Sequence, residues 1–309
     1  MDNIHKPVML NEVLEYLNVQ KNKWYIDCNL GGGGHTKVIL QKEGKVLGID
    51  LDSESIKLVA NKYNLSVQEV NGSLQAFSDN LILVQANFAN LKKVIENLPK
   101  NPNTQNLPNF SGILFDLGLS SNQLEDPIRG FSFNKNAPLD MRMGDAFAVR
   151  ASDLLNALSK KELTELFFKL GEEPFSKRIA KEIVEYRKQK KIETTYQLAD
   201  ITLKIIHKKP GQIHPATRIF QALRIAVNDE LNNLKEALPQ ALEILQPGGR
   251  LVVISFHSLE DRIVKNFIRD HEDNNLLKSL TKKPLTPTEE EINLNPRSRS
   301  AKMRVAEKI

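Results

Sequence analysis

The segment Asp27-Cys28-Asn29-Leu30-Gly31-Gly32-Gly33-Gly34-His35 lies between a short apolar run, Trp24-Tyr25-Ile26, and a second one, Val38-Ile39-Leu40. That order predicts a strand, a glycine turn and a helix, with an acid at the strand's end. Glycine has no Cβ, so the main chain turns sharply and approaches a ligand closely. Nucleotide-like cofactors are held this way on an α/β sheet. A further apolar run, Val46-Leu47-Gly48-Ile49, ends in Asp50. It follows the glycines by about 20 residues, the spacing at which such folds place a ribose-binding carboxylate.

Charge narrows the ligand. A dinucleotide fingerprint, G-x-G-x-x-G, seats a pyrophosphate on a helix N-terminus. Here Asp27 immediately precedes the glycines and would repel one. S-adenosylmethionine carries a sulfonium and an ammonium group and no phosphate, and it suits an acidic, glycine-lined site better. The chain contains no G-x-x-x-x-G-K-[ST], which excludes a P-loop.

A length of 309 residues predicts two domains, or one domain with a large insertion. The formal net charge of +5 permits a polyanionic partner without requiring one. A single cysteine excludes an internal disulfide framework and agrees with a reducing compartment. No apolar run approaches the ~18 residues of a membrane span, and residues 1–7 do not resemble a secretory leader. The expectation is a soluble, cytoplasmic protein with no membrane attachment.

Strand-like segments recur at Tyr25–Asp27, Val46–Asp50, Leu81–Gln85, Gly112–Asp116 and Arg250–Phe256, with a short last one near Met303–Ala306. The first four alternate with helical or loop segments, which predicts a parallel sheet flanked by helices. Gln246-Pro247-Gly248-Gly249 marks the end of a helix before Leu251-Val252-Val253-Ile254. From about 151 to 213 the apolar residues follow helical spacing instead, among them Leu154, Leu155, Leu158, Leu163, Phe167, Ile179 and Ile183. Ser159-x-x-Glu162 and Thr194-x-x-Gln197 have the form of capping boxes. The expected organisation is residues 1–140 and 214–309 as one α/β domain and 141–213 as a helical insertion. The Asn- and Pro-rich stretch 101–109 is expected to be a surface loop.

Four further clusters use residue types that scaffolding rarely needs. Gly112-Ile113-Leu114-Phe115 runs into Asp116-Leu117-Gly118-Leu119-Ser120-Ser121-Asn122-Gln123-Leu124. Arg129-Gly130-Phe131-Ser132-Phe133 is followed by Pro138-Leu139-Asp140-Met141-Arg142-Met143. His214-Pro215-Ala216-Thr217-Arg218 leads to Phe220-Gln221-Ala222-Leu223-Arg224. Last comes Ser255-Phe256-His257-Ser258-Leu259-Glu260-Asp261-Arg262. Together with the N-terminal His5-Lys6-Pro7-Val8-Met9-Leu10 and the tail Asn295-Pro296-Arg297-Ser298-Arg299-Ser300, they give the chain a close resemblance, over nearly its whole length, to the RsmH (MraW) family.

That resemblance implies a class I S-adenosylmethionine-dependent methyltransferase: a Rossmann-like sheet with an inserted all-helical substrate domain. It implies methylation of the exocyclic N4 of a cytidine in the decoding region of 16S ribosomal RNA, with the RNA or the small ribosomal subunit as partner. It places Gly33, Gly34, His35 and Thr36 along the methionine end of the cofactor, Asp50 on the ribose and Phe88 near the adenine. Asp116 and Gln123 would complete the wall beside the substrate base. The family usually has Gly-Thr where this chain has Cys28-Asn29, and the segment from Gln68 to Asn80 is longer than usual.

Asp116 is the candidate catalytic residue, because it closes a strand beside the glycine loop. A carboxylate there can accept the N–H bonds of an amino group whose lone pair is delocalised, and it can aim that nitrogen. Arg129, Arg142, Arg218 and Arg224 are candidate phosphate contacts, as are Arg297, Arg299 and Arg304. His257 has two readings of equal weight: a helix cap, with Ser258 and Asp261 starting the helix, or a contact to RNA or a proton carrier. Cys28 reads as a buried structural thiol, which argues against the covalent adduct of cytosine C5 methylation. No metal is expected, since the six histidines and one cysteine form no ligand pattern. Two rivals remain. One is a DNA amino-methyltransferase, which usually carries Asn/Asp/Ser-Pro-Pro-Tyr/Phe where this chain has Asp116-Leu117-Gly118-Leu119. The other is a non-catalytic ribosome assembly factor.

Overall fold

The computed structural model describes residues 7–98, 109–120, 123–124, 126–144, 147–206 and 214–309. The stretch expected to be a surface loop, 101–109, therefore lies almost wholly outside the described residues, as do Ser121 and Asn122. The chain divides into two compact units, Met1–Gly118 with Leu231–Ile309, and Leu119–Glu230.

The first unit is built on one sheet. Its strands are β1 (Trp24–Asp27), β2 (Lys45–Asp50), β3 (Gln68–Val70), β4 (Ser73–Phe77), β5 (Leu81–Gln85), β6 (Phe110–Asp116), β7 (Leu245–Ser255), β8 (Leu277–Ser279) and β9 (Lys302–Lys308). Their spatial order is β3-β4-β5-β2-β1-β6-β7-β9-β8. The strands β5, β2, β1 and β6 are parallel, as expected; β7 is parallel to β6, and β9 enters antiparallel beside β7.

Alternation along each strand explains why these runs are apolar throughout. Ile26, Leu47, Ile82, Ile113, Leu251 and Val253 point to one face, where α4 (Leu91–Glu96), α10 (Glu230–Ile244) and α11 (Ser258–Glu272) cover them. Tyr25, Val46, Leu83, Leu114, Val252 and Ile254 point to the other, under α1 (Leu10–Leu17), α2 (Gly34–Gln41) and α3 (Ser53–Lys62). A parallel strand buried on both faces has no position for a polar side chain until it ends. Each such side chain contributes about 1.5–3 kcal/mol on burial. Polar residues therefore collect at the strands' carboxyl ends: Asp27, Asp50, Gln85, Asp116 and Ser255. Connections run outward from β1 in opposite directions, through β2 on one side and β6 on the other. At such a reversal an open sheet forms its ligand crevice.

The extra length between Gln68 and Asn80 is the β3–β4 hairpin, which pairs antiparallel with β5 and extends the sheet. Its turn is Asn71-Gly72, with φ of 53° and 76°, the double left-handed geometry of a two-residue hairpin.

The second unit is helical: α5 (Ala151–Ala157), α6 (Lys160–Gly171), α7 (Ser176–Arg187), α8 (Thr195–Ile205) and α9 (Ala216–Asn228). Both expected capping boxes form, Ser159 with Glu162 and Thr194 with Gln197. The unit is wider than the expected insertion 141–213 at both ends. Ile219, Phe220, Leu223 and Val227 of α9 share a core with Leu163, Phe167 and Ile183, and Phe131, Leu139 and Met141 join the same core. Gly171 permits this, because a Cβ there would lie 2.7 Å from the Arg218 carbonyl oxygen and 3.2 Å from Ala222 Cβ. Asn228 then ties the end of α9 to the preceding segment, donating to the Met141 carbonyl and accepting from Met143 N, both at 2.8 Å.

Gly130 has φ 69°, and a Cβ would run into the Pro138 carbonyl oxygen. Gly130→Ala is expected to destabilise the helical unit by about 2 kcal/mol or more. Chemical denaturation of the variant showing a change below about 0.5 kcal/mol, the scale of an inert surface change, would contradict this account of the turn.

Candidate active site

The glycine loop is held from two sides. Gly31 N donates to Asp50 Oδ2 at 2.7 Å, and Asp52 N donates to Asp50 Oδ1 at 2.9 Å. Thr36 Oγ1 donates to Asp27 Oδ2 at 2.7 Å, which draws the first turn of α2 back onto the end of β1. Gly33, with φ 74°, caps α2. The reason for glycine is packing: a Cβ on Gly33 would lie 2.9 Å from Val59 Cγ2, and one on Gly34 would lie 2.7 Å from Pro7 Cγ.

His35 is buried, and both ring nitrogens face protein atoms. Nε2 lies 3.0 Å from the Val8 carbonyl oxygen and Nδ1 lies 3.5 Å from Asp116 Oδ2. Thr36 is fully buried. The side chains of these two residues are thus engaged inside the protein. Asp50 is half-buried at the end of β2. Phe88 begins a 3-10 turn after β5 and meets Phe115 edge-on, with ring centroids 5.6 Å apart. Gln123 belongs to the helical unit, where it exchanges hydrogen bonds with Ser120 at 3.2 Å.

Electrostatics distinguish the carboxylates. Burial pushes Asp50 up to about 6, against the hydrogen bonds from Asp52 and Gly31. Burial likewise pushes Asp116 up to about 6. The His35 ring opposes the shift, while Asp27 and Glu260 reinforce it. Asp27, 1 % exposed, is also raised by burial. Burial first, and then the Asp27 charge, pushes the Cys28 thiol well up, so no thiolate nucleophile forms there.

Asn29 Oδ1 and Asp116 Oδ1 are buried without a hydrogen-bond partner among the described residues. Asp50 accepts one backbone N–H on each oxygen and keeps further lone pairs. A cationic ligand rich in N–H and O–H donors fits this set. A pyrophosphate does not.

His257 is the N-cap of α11: Glu260 N donates to His257 Nδ1 at 3.4 Å. Glu260 in return accepts from Phe256 N at 2.8 Å and His257 N at 3.3 Å. The cap is therefore His257, one of its two expected readings, with Ser258 and Asp261 in the first turn of the helix and Glu260 completing the capping box. Asp261 pairs with Arg304, Oδ1 to Nε at 2.6 Å. Glu260 was not expected at the site, although its place three residues after the cap is the capping-box spacing.

Most candidate arginines in the helical unit are engaged. Arg142 grips Asp140 with Nε at 2.7 Å and Nη2 at 2.8 Å, and Arg224 grips Glu230 with both distances 2.8 Å. Arg129 donates to the Met143 carbonyl at 3.2 Å. Arg218 is exposed and donates only weakly placed contact to the Glu172 carbonyl, at 3.3 Å.

The raised Asp116 makes a stability prediction. Its folded state favours the protonated acid, so its contribution is fully present below about pH 4 and is lost as pH rises through about 6. Asp116→Asn should therefore be the more stable protein at neutral pH without ligand. The gap should be up to about 3 kcal/mol, since each pKa unit is worth about 1.4 kcal/mol, and should close toward about pH 4. Denaturation curves at several pH values measure it; a gap independent of pH would contradict the burial account.

The comparisons with known proteins agree along the whole chain. The MraW methylase family matches residues 2–309. A protein of Carboxydothermus hydrogenoformans named "Ribosomal RNA small subunit methyltransferase H" is 42% identical over 326 residues, covering 100% of this chain and 99% of its own. One of the same name from Dictyoglomus thermophilum is 45% identical over 312 residues, covering 100% of this chain and 98% of its own. A third, from Dehalococcoides mccartyi, is 45% identical and covers 99% of this chain and 86% of its own. No described helix is long and apolar enough to cross a membrane. With a class I sheet, a carboxylate-clamped glycine loop and this similarity, the chain belongs to the MraW methylase family, methyltransferases whose cofactor is S-adenosylmethionine.

Proposed function

We propose that this protein methylates N4 of a cytidine in the decoding region of 16S ribosomal RNA, in the cytoplasm, on the free RNA or the small subunit. The relatives' shared name supports an RNA of the small subunit as substrate. The observation that carries the choice of atom is Asp116: a half-buried carboxylate at the sheet's switch point, with one oxygen unpartnered among the described residues and no thiolate beside it. An amino group needs an acceptor for its N–H bonds; attack through C5 needs a thiolate.

The bound cofactor supplies an electrophilic methyl group. Asp50 holds the ribose hydroxyls with its remaining lone pairs, Phe88 packs near the adenine, and Gly33 and Gly34 leave the loop close to the ligand. His35 and Thr36 line it through the main chain, since their side chains turn inward. The Asp116 carboxylate accepts an N4–H bond and orients the nitrogen, and holding the reactants in line supplies much of the rate. The target base must leave its stack to reach the site. Arg218 is the strongest phosphate contact, followed by Arg129; Arg142 and Arg224 mainly brace the helical unit.

The deciding experiment is methylation of 16S RNA and of small subunits, with the modified nucleoside analysed by mass; a methyl on C5 would overturn the reading. Asp116→Ala should depress turnover more than RNA binding, and Cys28→Ser should stay active. Asp50→Ala should weaken S-adenosylhomocysteine binding by about 1.5–3 kcal/mol, the scale of hydrogen bonds to a charged group, as measured by calorimetry. Arg218→Ala should weaken RNA binding and lower its salt dependence by about one counterion. Arg142→Ala should act mainly on stability, and an equal effect of both on the salt slope would contradict this division.

A further inference from the structure

His35 sits beside the carboxylate that the reaction needs, yet its side chain is only 5 % exposed, with both ring nitrogens turned to protein atoms. A carbonyl oxygen only accepts, so the proton on Nε2 is fixed by Val8 at 3.0 Å. The ring is thereby oriented with Nδ1 3.5 Å from Asp116 Oδ2, and the two form an ion pair when the ring is the imidazolium, which carries a proton on both nitrogens. Oδ1 of the same carboxylate is left unpartnered.

We infer that His35 is the positioning residue of Asp116: as an imidazolium it pairs with Oδ2, fixes the carboxyl plane and keeps the group a carboxylate. The inference rests on the proposed N-methylation for its use, though not for its geometry. The alternative to such a partner is unfavourable. Asp116 is faced by Asp27 from β1 and by Glu260 from α11, both of which favour its neutral form, and His35 from α2 is the one group opposing them. A neutral Asp116 would carry a proton where an acceptor is required. The Val8 carbonyl therefore acts at two removes: it fixes the ring, the ring fixes the carboxylate, and the carboxylate fixes the amine.

Two substitutions separate this role from simple packing. His35→Gln keeps a donor for Val8 but removes the partner of Asp116, and His35→Asn keeps a donor near Asp116 without the ring charge. In ligand-free protein, the carboxyl carbon of Asp116 followed by NMR should titrate about one pH unit higher in His35→Gln, and by less in His35→Asn. The acidic limb of the methylation rate should move the same way, with about a threefold loss near pH 6.5 and little loss near pH 9. S-adenosylhomocysteine affinity should stay within about threefold, under 1 kcal/mol. An unchanged carboxyl titration with a pH-independent loss of rate overturns the inference, as does a collapse of cofactor affinity. If His35→Gln does not fold, His35→Asn carries the same test. The titration needs no RNA, so it holds or fails separately from the choice of substrate atom.

Discussion

Two carboxylates at the ends of adjacent strands clamp the glycine loop, and the rest of the site depends on that clamp. Asp50 takes the amide of Gly31, and Asp27 takes the hydroxyl of Thr36. The loop is pinned before and after its glycines, so the first turn of α2 has one place to lie. His35, between Gly34 and Thr36, is then delivered to the end of β6. Neither acid is free to choose this arrangement. Both sit where a doubly buried strand first permits a polar side chain, and both are desolvated there. Burying a carboxylate is expensive unless hydrogen bonds satisfy it, and the loop supplies them.

Much of this was legible in the sequence because buried parallel strands are unbroken apolar runs with sharp ends. β1, β2, β5, β6 and β7 announce themselves in that way, and the acids that terminate three of them are the site. The β3–β4 hairpin is different. Its outer strand is mostly exposed, so it carries little apolar pattern, and its one clear signal is Asn71-Gly72. The width of the helical unit was hidden for another reason. Helical periodicity shows which face of α9 is buried but not whether a sheet or other helices bury it.

The same limit applies within the site. His35 and Thr36 were visible as residues following the glycines, but the direction of their side chains is set by Val8, Asp27 and Asp116, which are distant in sequence or on other strands. The arginines show the converse. Asp140 stands two residues before Arg142 and Glu230 six after Arg224, so their ion pairs were within reach of a local reading, and a guanidinium already held on two sides by a carboxylate has little left for phosphate. His257 resolves toward the cap because Glu260 returns its hydrogen bond in the capping-box pattern.

The position of β9 has a consequence for how the first unit is assembled. Lys302–Lys308 lies between β7 and β8, so a late segment of the chain fills an interior place in the sheet. A molecule nicked before this strand would present an unpaired edge on β7, which the intact sheet covers with β9. Exposed edges of that kind recruit strands from other chains. The pairing of β7 with β9 also spans roughly fifty residues, and contacts so far apart in sequence slow the search for the native sheet. Until β9 docks, the β7 edge is an open template for self-association.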